Sequence, residues 1–365
     1  MTSSQKHGEP TDRRWVRFLG AFLGSAIGLG LLLYALLVVV DGYDTVWFSP
    51  PFDREPVTSN QRFSFPALAR KGRFDSAIIG TSTTRLLRPE KLNPLFQARF
   101  ANLSMNDATA WEEAQLFGVF RRHHPAPRAV VFGIDVVWCA IGDDFRRLTP
   151  RPFPAWMYDE NPWNDLTHLF NLPTIEETGR QLGYLTGLRK PKYGKDGYTN
   201  FLPPDAAYDL RRARLRIYGP DGPRPRTVAQ PPVDVSEAEA AAWRFPMHAL
   251  LVDMLDGLPA ETVKVLAVVP YHIHGQPAAR SRPAAIWDEC KRRLAAVVRA
   301  RANVHLVDFM MESPITTRDA NYWDPLHFTA SIADRVADAL ADAVRHRRDA
   351  QGEFQGVYRY FGGSG

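Results

Sequence analysis

The sequence is poor in cysteine, with only Cys139 and Cys290 in 365 residues, which leaves room for at most one bridge. Whether the two pair stays open, because their separation in space cannot be read from the chain. No internal repeat is visible. Charge is missing altogether from Phe18 to Val40, a run of 23 positions rich in Leu, Val, Gly and Ala. At about 1.5 Å per residue such a helix crosses a hydrocarbon core of about 30 Å, and it exceeds the roughly 7 to 15 apolar residues of a cleavable signal. It predicts one transmembrane helix over 18–40. Lys6, Arg13, Arg14 and Arg17 precede the run, and Asp41 and Asp44 follow it. The basic flank therefore keeps residues 1–17 cytoplasmic and sends the remainder to the periplasmic or outer face of an inner (plasma) membrane. Gly20, Gly24 and Gly28 are spaced to pack two such helices into a homodimer, and are equally what the ordinary glycine content of a membrane helix produces. A pI near 9.2 and a net charge of +5 do not imply nucleic acid, since part of that charge lies in the cytoplasmic flank. No nucleic-acid partner is expected.

What is present divides into a connector over 41–70, an α/β domain over 71–348 and a C-terminal tail over 349–365. Five short apolar strands alternate with helical stretches: Ala77–Ile79, Phe100–Ser104, Ala129–Asp135, Thr262–Val269 and Val304–Phe309. That alternation predicts a parallel sheet covered by helices on both faces, in the flavodoxin-like order 2-1-3-4-5. Residues 142–235 interrupt it with 13 of the 29 prolines and many aromatics, an irregular cap whose rings suit either sugar faces or a small core. Helices are expected at Ala108–Arg122, Ser236–Leu258 with a break near Pro246, Ile286–Ala302 and from Ser331 onward, where Ser331 and Asp334 have the spacing of a capping box.

The chemistry concentrates at Ile78-Ile-Gly80-Thr-Ser82-Thr83-Thr-Arg85. The strand stops at Gly80, and Thr81 to Arg85 opens a helical segment, so Ser82 stands at the carboxyl end of a strand, where ligands bind in open α/β sheets. In isolation the hydroxyl is also an ordinary helix cap. Far downstream, Asp324-Pro-Leu-His327 places a carboxylate and an imidazole in one turn. A serine is a weak nucleophile until a base takes its proton, and the imidazole needs a carboxylate to fix its tautomer. Arg85 offers either a solvated helix face or a hold on an anionic group. His272 and His274 alternate after a strand and suit substrate contact; no third ligand at a recognisable spacing accompanies them, so no metal or cofactor is implied.

With those motifs in that order, residues 74–345 outside the insertion resemble the SGNH hydrolase superfamily, particularly its membrane-anchored members that act on cell-envelope polymers. The resemblance implies Ser82 as nucleophile, His327 as general base and Asp324 as its partner. It also implies an O-acetyltransferase or esterase acting on a cell-envelope or secreted polysaccharide, with a membrane-embedded acyl-donor partner. In such relatives a second block supplies a glycine donor to the oxyanion hole, and a third supplies an asparagine. Here the second block reads Asn102-Leu-Ser104-Met-Asn106-Asp107, without glycine, and the third reads Gly133-Ile-Asp135. The backbone of Ser82 and groups from Ser104 to Asn106, with Gly80, Thr83 and Asn102 beside them, remain as candidates. These departures favour an alternative from another class, a non-catalytic scaffold or glycan-binding component of a polysaccharide-secretion complex.

Overall fold

The computed structural model describes residues 10–142, 149–226 and 228–362. They form two compact units, one comprising the chain up to Val57 with Glu160–Lys190, the other comprising Thr58–Asp159 and the chain from Pro191 onward. The irregular insertion is therefore divided between them.

In the first unit the helix Pro10–Val40 contains the stretch Arg13–Val40, long and apolar enough to cross a membrane. Its last carbonyls, those of Val39 and Val40, accept hydrogen bonds from the Arg54 guanidinium at 3.2 and 2.8 Å, which answers the orphan acceptors every helix end exposes. Asp41 accepts from the backbone N–H groups of Thr45 and Val46, so residues 41–57 fold back on the helix end. Leu37, Val46 and Leu169 form a small core here, with Leu33, Tyr34, Leu166 and Ile175 packed against it.

The second unit is mixed α/β, built on one six-stranded, mostly parallel sheet. Its strands are β1 (Ser76–Ile79), β2 (Phe100–Asn102), β3 (Ala129–Ile134), β4 (Val263–Val268), β5 (Val304–Asp308) and β6 (Arg359–Gly362), in the order β2-β1-β3-β4-β5-β6. Every pairing is parallel except β5 with β6. β1, β2, β3 and β5 are buried throughout, as the continuous apolar runs of parallel strands are. The alternation predicts five strands, and the sixth comes from the segment expected to be a C-terminal tail. Tyr358, Tyr360 and Phe361 give that segment apolar area to bury, and Tyr360 meets His305 of β5 across the antiparallel pair, Oη to Nδ1 at 2.8 Å.

Two further expectations are corrected. The segment 61–70, expected to belong to the connector, is the helix Gln61–Arg70, capped by Asn60 and packed against the helix Ala110–His123. The last helix, Ala330–His346, is capped by Thr329 in position, so its third residue is Ile332 and no Ser331–Asp334 box forms. Its first amides, of Ala330 and Ser331, instead donate to the Asp205 carboxylate at 3.3 and 3.1 Å, while Asp334 pairs with Arg88 at 2.8 and 2.6 Å. The break near Pro246 is present, between helices Glu237–Ala242 and Pro246–Asp256. Cys139 and Cys290 form a disulfide, which ties the turn after β3 to the helix Arg282–Arg299.

Candidate active site

The turn that follows β1 is shaped by a contact between two glycines and a threonine. A Cβ on Gly80 would lie 2.6 Å from Thr84 Oγ1, and one on Gly133, in the neighbouring strand β3, would lie 1.8 Å from it. Only residues without a side chain leave room for Thr84 to seat under the turn. The chain then makes a single 3₁₀ turn, Thr84–Leu86, and the next α-helix begins only at Pro89. The helix expected to open at Thr81 is thus one short turn. The Thr81 hydroxyl donates to the Asp135 carboxylate and lies 3.2 Å from the Thr83 hydroxyl, so both neighbours of Ser82 point inward and Ser82 is left to face the cleft.

The second half of the site is a small hairpin. Tyr322 and Phe328 form an antiparallel bridge, and the Trp323 N–H donates to the His327 carbonyl at 2.8 Å. Tyr322, Trp323 and Phe328 are buried and anchor it. Between them Asp324 accepts from the backbone N–H groups of Leu326 and His327 at 2.9 and 3.0 Å, and its two oxygens lie 2.9 and 2.8 Å from His327 Nδ1. His327 Nε2 is 2.9 Å from Ser82 Oγ. Burial alone would raise the Asp324 pKa; the bonds from the His327 ring and the two backbone amides outweigh it and hold the carboxyl below its usual range. An ionised Asp324 fixes the proton on Nδ1, which leaves Nε2 as an acceptor for the serine proton. The ring of Phe201 packs edge-on against His327, centroids 5.5 Å apart.

The structure therefore brings Ser82, His327 and Asp324 together across 245 positions of sequence. The other named residues play different parts. Asn102 donates to the carbonyls of Arg85 and Leu87 at 3.1 and 2.8 Å and accepts from the Ser104 N–H at 3.1 Å. It holds two loops together, and it occupies the Ser104 amide, one of the candidate oxyanion donors. The Ser104 hydroxyl is buried with no partner among the described residues. Asp135 is 3% exposed and accepts from Thr81 and from the Val137 N–H at 3.1 Å. Its carboxyl group thus braces the Ser82 turn, and burial pushes its pKa up. Arg85 is on no solvated face: it is 2% exposed, lies over the rings of Phe201 and Tyr193, and donates to Asn106 Oδ1 at 2.6 Å.

His272 is fully buried, with Nε2 3.2 Å from Asp319, and its backbone N–H donates to the Pro325 carbonyl at 2.9 Å. It buttresses the Asp324–His327 turn from behind, and its burial removes it from the ligand-contacting role expected of it. Burial lowers its pKa against the opposing pull of Asp319. His274 is half-buried, with its ring against Tyr218. A group that could hold a metal, Cys139, His248 and Cys290, lies elsewhere, but its two sulfurs are spent in the disulfide and no thiolate remains to ligate.

Three supports of the site have little or no signature in the sequence. The Arg62 guanidinium donates to the carbonyls of Asn106 and Asp107 at 3.1 and 3.0 Å while paired with Glu112, and so clamps the second block. Asp319 gathers Arg214, Tyr218 and His272 beneath the hairpin. Glu113, buried beside Asp135, carries a pKa raised well above the usual by burial and then by that neighbour. Only Glu112 has a local signal, as the third residue after Thr109 in a capping box. No protein-family model and no curated protein matches the chain.

Proposed function

We propose that this chain is a serine acyl-transfer enzyme of the SGNH type, an O-acetyltransferase or esterase acting on a cell-envelope or secreted polysaccharide. One observation carries the proposal: Ser82 Oγ, His327 and Asp324 are linked by hydrogen bonds of 2.8–2.9 Å. The parallel part of the sheet, in the order β2-β1-β3-β4-β5 with the serine after β1, supports the SGNH, flavodoxin-like assignment.

In the proposed reaction Ser82 Oγ attacks the acyl carbonyl carbon while its proton passes to His327 Nε2. The carbon–oxygen bond to the leaving group then breaks, and His327 returns the proton to that oxygen. A glycan hydroxyl, or water, then attacks the acyl-serine carbonyl carbon while its proton passes to His327 Nε2, and the bond to Ser82 Oγ breaks with that proton returned to Oγ. The Ser82 N–H is a backbone donor for the oxyanion. The apolar helix supports a membrane tether, its basic flank an exported domain, and the disulfide an oxidising compartment. A membrane-embedded acyl donor fits such a tether.

The scaffold alternative draws on Asp135 standing where relatives carry an amide. The test is labelling of the full chain, in detergent micelles, by a fluorophosphonate. Time-dependent labelling abolished in Ser82→Ala and His327→Ala supports the enzyme; a folded wild type that takes no label overturns it in favour of the scaffold.

A further inference from the structure

A tetrahedral intermediate at Ser82 needs more than one donor for its oxygen, and the obvious sources are closed. Asp135 brings a carboxylate already bonded to Thr81 and Val137, and the Ser104 amide is held by Asn102. Asn106 is bracketed by the nucleophile turn on both sides. The Met105 N–H donates to the Gly80 carbonyl at 2.9 Å, two residues before Ser82, and Asn106 itself contacts Arg85, three residues after it. Its main-chain carbonyl is fixed by Arg62.

The orientation of its amide is set by chemistry. A guanidinium only donates, so the atom 2.6 Å from Arg85 Nη1 has to be the Asn106 oxygen, and Nδ2 is turned to the other side. No described residue accepts from Nδ2, and Asn106 is half-buried, so a ligand can reach it. Arg85 itself is shut away: among the described residues its buried Nε has no partner and no carboxylate pairs with it, and aromatic rings cover it. Its positive charge is unspent. Arg62, by contrast, is neutralised by Glu112. A cation bonded to the amide oxygen draws electron density from the nitrogen and strengthens the N–H as a donor.

We propose that Asn106 Nδ2 is the side-chain donor of the oxyanion hole, and that Arg85 is the positioning residue that turns and polarises it. The assignment rests on the serine acyl-transfer proposal. It moves the amide from the third block, where Asp135 stands, to the second. There Asp107 also takes a left-handed φ of 53°, the conformation a glycine would favour.

The experiment uses the full chain in detergent micelles with p-nitrophenyl acetate as the probe and fluorophosphonate labelling in parallel. Asn106→Asp keeps the shape and gives Arg85 a better partner, but replaces the donor with an acceptor. It should stay folded and lose about 100- to 1000-fold in kcat with little change in KM, as should Asn106→Ala. Arg85→Lys should lower kcat about tenfold in the wild-type background and change nothing further in Asn106→Ala. A reactive wild type with Asn106→Asp within threefold of it overturns the oxyanion assignment alone. Equal losses for Arg85→Lys in both backgrounds overturn the positioning role. A folded wild type that neither turns over the ester nor takes label overturns the serine chemistry, and this assignment with it.

Discussion

Arg62 and Glu112 form an ion pair with no side-chain surface exposed, Nε to Oε1 at 2.9 Å, and the arginine also donates to the Asn106 and Asp107 carbonyls of the second block and to the Thr149 hydroxyl. Two charges out of water are stable only while each has the other and the leftover hydrogen bonds are filled. Glu112 also accepts from the Thr109 N–H as half of a capping box, so one carboxylate starts a helix and secures a loop.

Removing one partner should therefore cost far more than removing both. Arg62→Leu is expected to lower stability by about 3–5 kcal/mol, because it leaves Glu112 buried and unpaired. Arg62→Leu with Glu112→Leu should recover part of that loss, less the cap. Thermal unfolding of the three variants followed by circular dichroism reads the difference, and additive losses would contradict it.

Glu113 should give stability a measurable pH slope. Its folded pKa is raised well above the ordinary carboxyl value by burial, while in the unfolded chain it is ordinary. Below about pH 4.5 both states hold the proton and the group costs nothing. As pH rises above that, the unfolded state ionises first, and stability falls until the folded pKa is passed. Glu113→Gln removes this slope, so the melting temperature should rise relative to wild type at pH 7–8 and match it near pH 4. The check is the difference between the two proteins at each pH; a gap that does not widen with pH contradicts the prediction.

The Gly133–Thr84 fit predicts a rescue. A methyl group on Gly133 lands on Thr84 Oγ1, in a region where β1 and β3 are both buried. Gly133→Ala should cost about 1–3 kcal/mol through overpacking and slow fluorophosphonate labelling by shifting the Ser82 turn. Thr84→Ala added to it removes the clashing hydroxyl and should restore part of both. Thr84 Oγ1 is itself a buried atom without a partner among the described residues, so Thr84→Ala alone should be mild.

The features legible in the chain are the ones whose cause is local. Apolar runs buried on both faces announce themselves, and so do a strand that ends in Gly80-Thr-Ser82 and an Asp-x-x-His turn before an amphipathic helix. Features set by distant partners are not legible. The cap of the last helix comes from Asp205, and the bracing of Ser82 comes from Asp135 through Thr81; neither contact leaves a local pattern. A single arginine in a polar turn ordinarily lies on the surface, and the distant rings of Phe201 and Tyr193 lie over Arg85 without any local pattern to announce it. β6 has no signal of its own, because Arg359-Tyr-Phe-Gly362 is neither a continuous apolar run nor an alternation, and its pairing is supplied by β5.

Asp324→Asn is the substitution that separates geometry from electrostatics in the triad. An asparagine keeps the acceptor for the backbone N–H groups of Leu326 and His327, so the hairpin between Tyr322 and Phe328 should persist. What it loses is the charge that holds the proton on His327 Nδ1, and its amide can present a donor to that nitrogen. The imidazole would then carry its proton on Nε2, facing Ser82, where it can no longer accept one. The expected outcome is a loss of about 10³–10⁴-fold in kcat on an acetyl ester with the fold retained and KM unchanged. Asp324→Ala should lose a similar factor in rate but also destabilise the turn. If Asp324→Asn kept wild-type turnover, Ser82 would not be drawing on His327 as its base, and the 2.9 Å contact between them would be structural only.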